Sequence, residues 1–381
     1  MSYARARLWL GICGAGSLVV LATIMLATGI PSQRLSQLQT PSGSAMGQLF
    51  LLTLLVGMWL APLDFLGGFY LPRKFHKSFF SFRFWFKRYL LAILGQAFLF
   101  SGSAWLILLA GQTYGWFGAA AVVPVLGWCF FALRNRLISA KRLNASGLVS
   151  RLGPAMDLVR RWNIVPVPTI VVSHRDLGFT GGIIGVGKSA RIVIPRAWLK
   201  TLSREELATA ISRRSVAVNS GSYLRGILLA FGWNLAGFLM ASWLPNAGLE
   251  TVGQLATTVC GFTIWSFLGL LTLPTLSRNA SLEIDDQLRG SGVPANLIWD
   301  TAYSQDQLQD GEPHRSKWIE RVFHPIPSVS QRNRSRPRGR LAAWNVAHTT
   351  LFLSWSCFGV LSRAVHCNIG RPELWTMLPT D

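Results

Sequence analysis

Long apolar runs alternate with basic, polar stretches along the whole chain. Runs of roughly 20 residues, enough to cross a bilayer as a helix, fall near Leu8–Ile30, Gly47–Tyr70, Tyr89–Ala110, Gly115–Leu133, Gly226–Leu244, Val252–Leu273 and Leu341–Val365. About seven transmembrane helices are expected: a four-span region over 1–133, a hairpin over 226–276 and a last span over 341–365, leaving an external tail at 366–381. Arg5 and Arg7 ahead of the first run suggest a signal peptide, but its apolar length exceeds an ordinary signal core. An uncleaved anchor is expected.

The polar stretches 134–225 and 277–340 are each short for a domain and together reach about 155 residues, an ordinary domain size. They are expected to fold together as one small α+β domain split by the hairpin. In the first, Leu148, Leu152, Met156 and Val159 recur at helical spacing, and the β-branched run Thr169–Val172 follows two prolines. That order reads as helix, then strand. Ser203-Arg-Glu-Glu206 is a capping box, with Leu202 and Leu207 positioned as a staple, so a helix should begin at Ser203 or Arg204. Leu207, Ala210, Ile211 and Ser215 then share a buried face.

Composition agrees with a membrane protein: 50% of the 381 residues are hydrophobic and 14% charged, against roughly 25% charged in soluble domains. The net charge is +21, which raises nucleic acid as a partner. Position answers it: with the N-terminus in the cytoplasm, 34 of 37 basic residues fall on cytoplasmic segments, the asymmetry expected of membrane topology. No nucleic acid is expected. Arg332, Arg334, Arg336, Arg338 and Arg340 precede the last run and suit topological anchoring or contact with anionic lipid. The five cysteines form no C-x-x-C pair, so neither a disulfide framework nor a cysteine zinc site is indicated.

Gly182-x-x-x-x-Gly187-Lys188-Ser189 matches the phosphate-binding loop formally. That loop must enter a helix directly, whereas Arg191-Ile-Val-Ile194 reads as strand, so a glycine-rich hairpin turn and no nucleotide are expected. Asp64 is the one acidic residue within a predicted span. Pairing with Arg73, Lys74 or Arg88 at the interface is expected. Asn345, His348 and Thr349 share one face of the last span and suit interhelical hydrogen bonds.

The order of Thr169–Val172, Gly178–Gly182, Ile192-Val-Ile-Pro195, Leu-Ser-Arg-Glu-Glu-Leu207, a membrane hairpin, Ser277-Arg278 with Glu283-Ile-Asp285, and His324-Pro325 resembles the integral-membrane zinc peptidases typified by HtpX and the CAAX prenyl protease, over about residues 145–335. The resemblance implies a zincin-like domain and an H-E-x-x-H motif on the capped helix, whose histidines would hold zinc and whose glutamate would activate water. The matching positions read Arg213-Arg214-Ser215-Val216-Ala217. Guanidinium has no lone pair for a metal, so zinc, which the family would use, is expected to be lost. Glu283 matches the third ligand.

A catalytically inactive pseudopeptidase is therefore expected, binding a polypeptide client or regulating a membrane partner. The strand Gly178, Phe179, Thr180, Gly181, Gly182, Ile183 and Ile184 would capture a client by edge addition. The rivals are an active zinc metalloendopeptidase with an atypical site and a structural or transport protein. An ion pair from Arg213 or Arg214 to Glu283, Asp285 or Asp286 is expected to replace the metal; alternatively, the acids only complement a helix N-terminus. Membrane lipid is the further expected partner, and a bacterial inner membrane the expected location.

Overall fold

The computed structural model describes residues 2–36, 42–77, 80–143, 146–174, 178–309, 312, 315–334 and 342–375. Of the arginine run, Arg336, Arg338 and Arg340 lie outside these residues, as does His314. The chain divides into two compact units. Unit one takes Met1–Phe131, Phe231–Gly269 and Thr350–Thr376; unit two takes Ala132–Ala230 and Leu270–Thr349.

Among the described residues, five helices are long and apolar enough to cross a membrane. They are α1 (Tyr3–Thr28), α2 (Ser42–Phe65, continued by a π turn to Lys74), α3 (Phe82–Ser139), α6 (Ser222–Ser242) and α7 (Val252–Gly290). α3 carries both the third and fourth expected spans. Its backbone turns at Gly115, where φ 59° and ψ −148° are tolerated by glycine alone at no steric cost. The two arms double back on each other: Phe100 packs on Trp355 before the turn, and Gly127 approaches Ser356 after it. In unit one, Leu51, Leu55, Met58, Leu91 and Phe98 are exposed. Apolar side chains so displayed suit lipid contact.

The expected seventh span differs. The chain there forms α10 (Val346–Leu353), a 3-10 turn over Ser354–Cys357 and α11 (Leu361–Ala364). None of these is long enough to span a bilayer, and the apolar run is long because nearly every side chain is buried in protein. Within unit one the segment runs inward and doubles back. Asn234 donates to the Thr350 carbonyl, and Phe358 packs against Phe100 and Phe238, about 15 residues or ~22 Å of helix from Trp85. The chain reverses at Phe358, in the left-handed region at φ 60°. It then returns to Arg7, Gly67 and Trp85: Arg7 donates to the carbonyls of His366, Gly67 and Ile369 at 2.9, 2.6 and 3.2 Å, and Trp85 Nε1 to that of Gly370 at 3.2 Å. The close approach needs glycines, because a Cβ on Gly68 would lie 1.8 Å from the Gly370 oxygen.

Asp64 belongs to this returning segment rather than to Arg73, Lys74 or Arg88. Its Oδ2 accepts from Arg363 at 2.7 Å and Tyr89 at 3.1 Å, and its Oδ1 from the Gly370 N–H at 2.7 Å. Arg363 also donates to Gln96 at 3.0 Å. The partners lie 299 residues apart in sequence, so local spacing points to the nearer cations. His348 Nδ1 lies 2.7 Å from Asn345 Oδ1, a bond within the segment.

Unit two holds α4 (Ser146–Arg161), a three-stranded sheet, α5 (Arg204–Asn219), α8 (Ala295–Gln309) and α9 (Lys317–Phe323). The strands β1 (Thr169–Val172), β2 (Gly182–Ile184) and β3 (Arg191–Pro195) lie in the order β1-β3-β2, with β1 parallel and β2 antiparallel to β3. Gly182 faces Val193, Ile183 faces Ile192 and Ile184 faces Arg191. The stretch matching the phosphate loop is β2 and the turn of this hairpin. Ser189 Oγ bonds both Val186 N and O, and a three-residue 3-10 turn over Gly187–Ser189 leads into β3 rather than into a helix.

Candidate functional site

Helix α5 begins where its capping box places it. Ser203 Oγ accepts from Glu206 N at 3.1 Å, and Ser203 N donates to Glu206 Oε2 at 2.7 Å. The adjacent Glu205 carboxyl is held below its ordinary range, first by its own backbone N–H and then by Arg204. From Leu207 to Ser215 every side chain is buried, which brings Arg213, Arg214 and Ala217 inside the protein at 0% exposure.

The two arginines have different environments. Arg214 lies under the sheet, donating to the Val193 carbonyl at 2.9 Å and the Thr180 carbonyl at 2.7 Å, with its guanidinium 4.9 Å from the Trp198 ring centre. It thus ties β3 to the strand that follows Thr180. Arg213 turns toward α7: its Nη2 is 3.4 Å from Asp285 Oδ1, and its guanidinium 5.8 Å from the Trp344 ring centre. Among the described residues, none of its three nitrogens makes a hydrogen bond, and neither does the buried Trp344 Nε1.

On α7 the structure brings Asp285, not Glu283 or Asp286, to α5. Asp285 is 2% exposed. Glu283 is half-buried and accepts from Gln287 at 3.3 Å, while the exposed Asp286 pairs with Arg289 at 3.0 Å. Two residues along a helix turn a side chain by about 200°, so Glu283 points away from the face that Asp285 shares with Ser281 one turn earlier. The match of Glu283 to a third ligand therefore has no geometric support.

The residue that sequence reasoning missed is Arg332. It donates from Nη1 to both Asp285 oxygens, at 3.2 and 2.9 Å, and from Nε to the Pro327 carbonyl. It is 4% exposed and so does not touch lipid. Nothing in its spacing separates it from Arg334. Its position depends on a fold of the 317–334 stretch in which buried Glu320 accepts from the Ser328 N–H and hydroxyl. Arg278 on α7 donates to the carbonyls of Glu320, Arg321 and His324, so His324-Pro325 is the corner of this loop.

The expected client strand is shorter and less open than the sequence suggests. Gly181 and Gly182 adopt φ 81° and 145°, so Phe179 and Thr180 lie outside β2. All of 179–184 is buried, Tyr223 donates to the Ile183 carbonyl at 3.2 Å, and Arg214 holds that of Thr180. On the other side of the sheet, Leu143 N donates to Val171 O and Ser173 N to Lys141 O. Edge addition of a peptide would have to displace these contacts.

As a metal centre the constellation does not fit. Arg213 and Arg214 offer only cationic donors and Ala217 no donor at all. Among the described residues, no three His, Cys, Asp or Glu side chains converge.

No protein-family model matches the chain. It is 32% identical over 82 residues to N-methyltransferase sirN of Leptosphaeria maculans, covering 21% of this chain and only 29% of that protein. The crystal structure of S. mikatae Ste24p superposes with a TM-score of 0.58 over 80% of this chain and 78% of that one, at 12% identity. At that identity the likeness concerns architecture: the chain has the fold of Ste24p.

Proposed function

We propose that this protein is a membrane-embedded, peptidase-like scaffold that works by binding a membrane partner and carries out no metal-dependent hydrolysis. The observation that supports it most is the use made of the α5 positions where the membrane zinc peptidases would carry ligands. Arg214 holds two strand carbonyls and Arg213 faces Asp285, so both are built into the packing of unit two. The covered sheet edges favour regulation of a partner over capture of an extended client. The basic loops face the cytoplasm in this reading.

The test is proteolysis by the purified full-length chain, in mild detergent with added zinc, against a panel of unfolded and prenylated peptides. No cleavage above that of an Arg214→Met variant is expected. Turnover by the wild type that a chelator abolishes would overturn the proposal. Site-specific photocrosslinking in the native membrane should then yield a discrete adduct with a membrane protein.

A further inference from the structure

We infer that the position on α5 facing Asp285 is an oxyanion site, taking a phosphate or carboxylate group. Two buried donors meet at this position. Arg213 is 0% exposed and Trp344 2% exposed, and among the described residues nothing accepts a hydrogen bond from the three guanidinium nitrogens or from the Trp344 Nε1–H. The two side chains are neighbours, with the guanidinium 5.8 Å from the indole centre.

A buried donor left unpaired is costly, and a charged one more so, so acceptors are required at this place. Asp285 does not supply them. Both of its oxygens are engaged by Arg332, and its approach to Arg213 at 3.4 Å is an ion pair without a hydrogen bond. One carboxylate thus stands between two guanidiniums. Water would satisfy the N–H groups but leave the second positive charge uncompensated in a buried setting. An oxyanion satisfies both demands, because its several oxygens accept from the guanidinium fork and the indole together. Such a ligand would bring α5, α7 and the segment around Trp344 under the control of a small anion or of a lipid headgroup. The inference rests on the reading above only for its location. Partner capture plays no part in its test, so the two can fail separately.

The test is thermal unfolding of the purified full-length chain in phosphate-free detergent buffer. It is titrated with inorganic phosphate, or with short-chain phosphatidic acid, against chloride at matched ionic strength. A saturable rise in the midpoint is expected, as for any ligand that binds only the folded state. Affinity should fall about tenfold or more in Arg213→Met, the loss of one charge-assisted contact. It should fall less in Trp344→Phe, which keeps the ring and removes only the donor. A shift with the lipid alone assigns the phosphate to a headgroup, and a shift with both assigns it to a free ion. No shift with either, or a shift unchanged in the variants, would overturn the site. If Arg213→Met does not fold, Trp344→Phe decides.

Discussion

Each unit contains a buried arginine beside a buried aspartate, and the two pairs are built to different standards. In unit one, Asp64 receives three hydrogen bonds of 2.7–3.1 Å from Arg363, Tyr89 and Gly370. In unit two, Asp285 is shared by Arg332 at hydrogen-bonding distance and Arg213 at 3.4 Å. Removing a partner from a saturated pair strands a charge in a medium that solvates it poorly. Removing the surplus partner from a shared pair strands nothing. The first arrangement is a structural clasp on the returning segment, and the second is a site with unused binding capacity.

The clasp has an all-or-none consequence for topology. Because 366–370 return to Arg7 at the start of α1, a reporter fused after Asp381 should report the same side of the membrane as one fused before α1. Opposite sides would show that the returning segment crosses the bilayer. Next in size, Asp64→Ala should destabilise the protein by about 3–5 kcal/mol. Asp64→Ala combined with Arg363→Met should cost less than the two singles added. Additive losses in detergent unfolding would mean that the pair is not coupled.

The comparison sharpens within unit two. Arg332→Met removes the hydrogen-bonded partner of Asp285 and should cost about 2–3 kcal/mol, less than the clasp because Arg213 remains. Arg213→Met, which removes unpaired buried donors and relieves crowding of like charge, should be neutral to stabilising in anion-free buffer. Equal losses in the two variants would refute the asymmetry. Smallest is Ser203→Ala, which removes a helix cap and should cost about 1 kcal/mol; the same loss in a Glu206→Ala background would break the reciprocal capping geometry.

Much of this was legible in the sequence where the signals are local. The capping box sets the start of α5, the β-branched run after two prolines marks β1, and the strand after Lys188 reveals the hairpin behind a formal phosphate-loop match. Signals that span the chain were not legible. A buried returning segment and a lipid-facing span have the same hydropathy, so residues 341–365 read as a crossing. Asp64 finds Arg363 only through the reversal at Phe358. The difference between Glu283 and Asp285 is an angle on a helix whose orientation no spacing reveals. The order of motifs pointed to the fold shared with Ste24p, but the roles of Arg213 and Arg214 depend on which carbonyls and carboxylates the fold brings to them.

The central claim is that these arginines serve packing and binding in place of metal chemistry. Its most direct test is elemental analysis of the purified chain after equilibration with zinc and removal of the excess. No stoichiometric zinc is expected, in the wild type or in a Glu283→Ala variant. Zinc at one atom per chain, lost on changing Asp285 or a histidine, would contradict it.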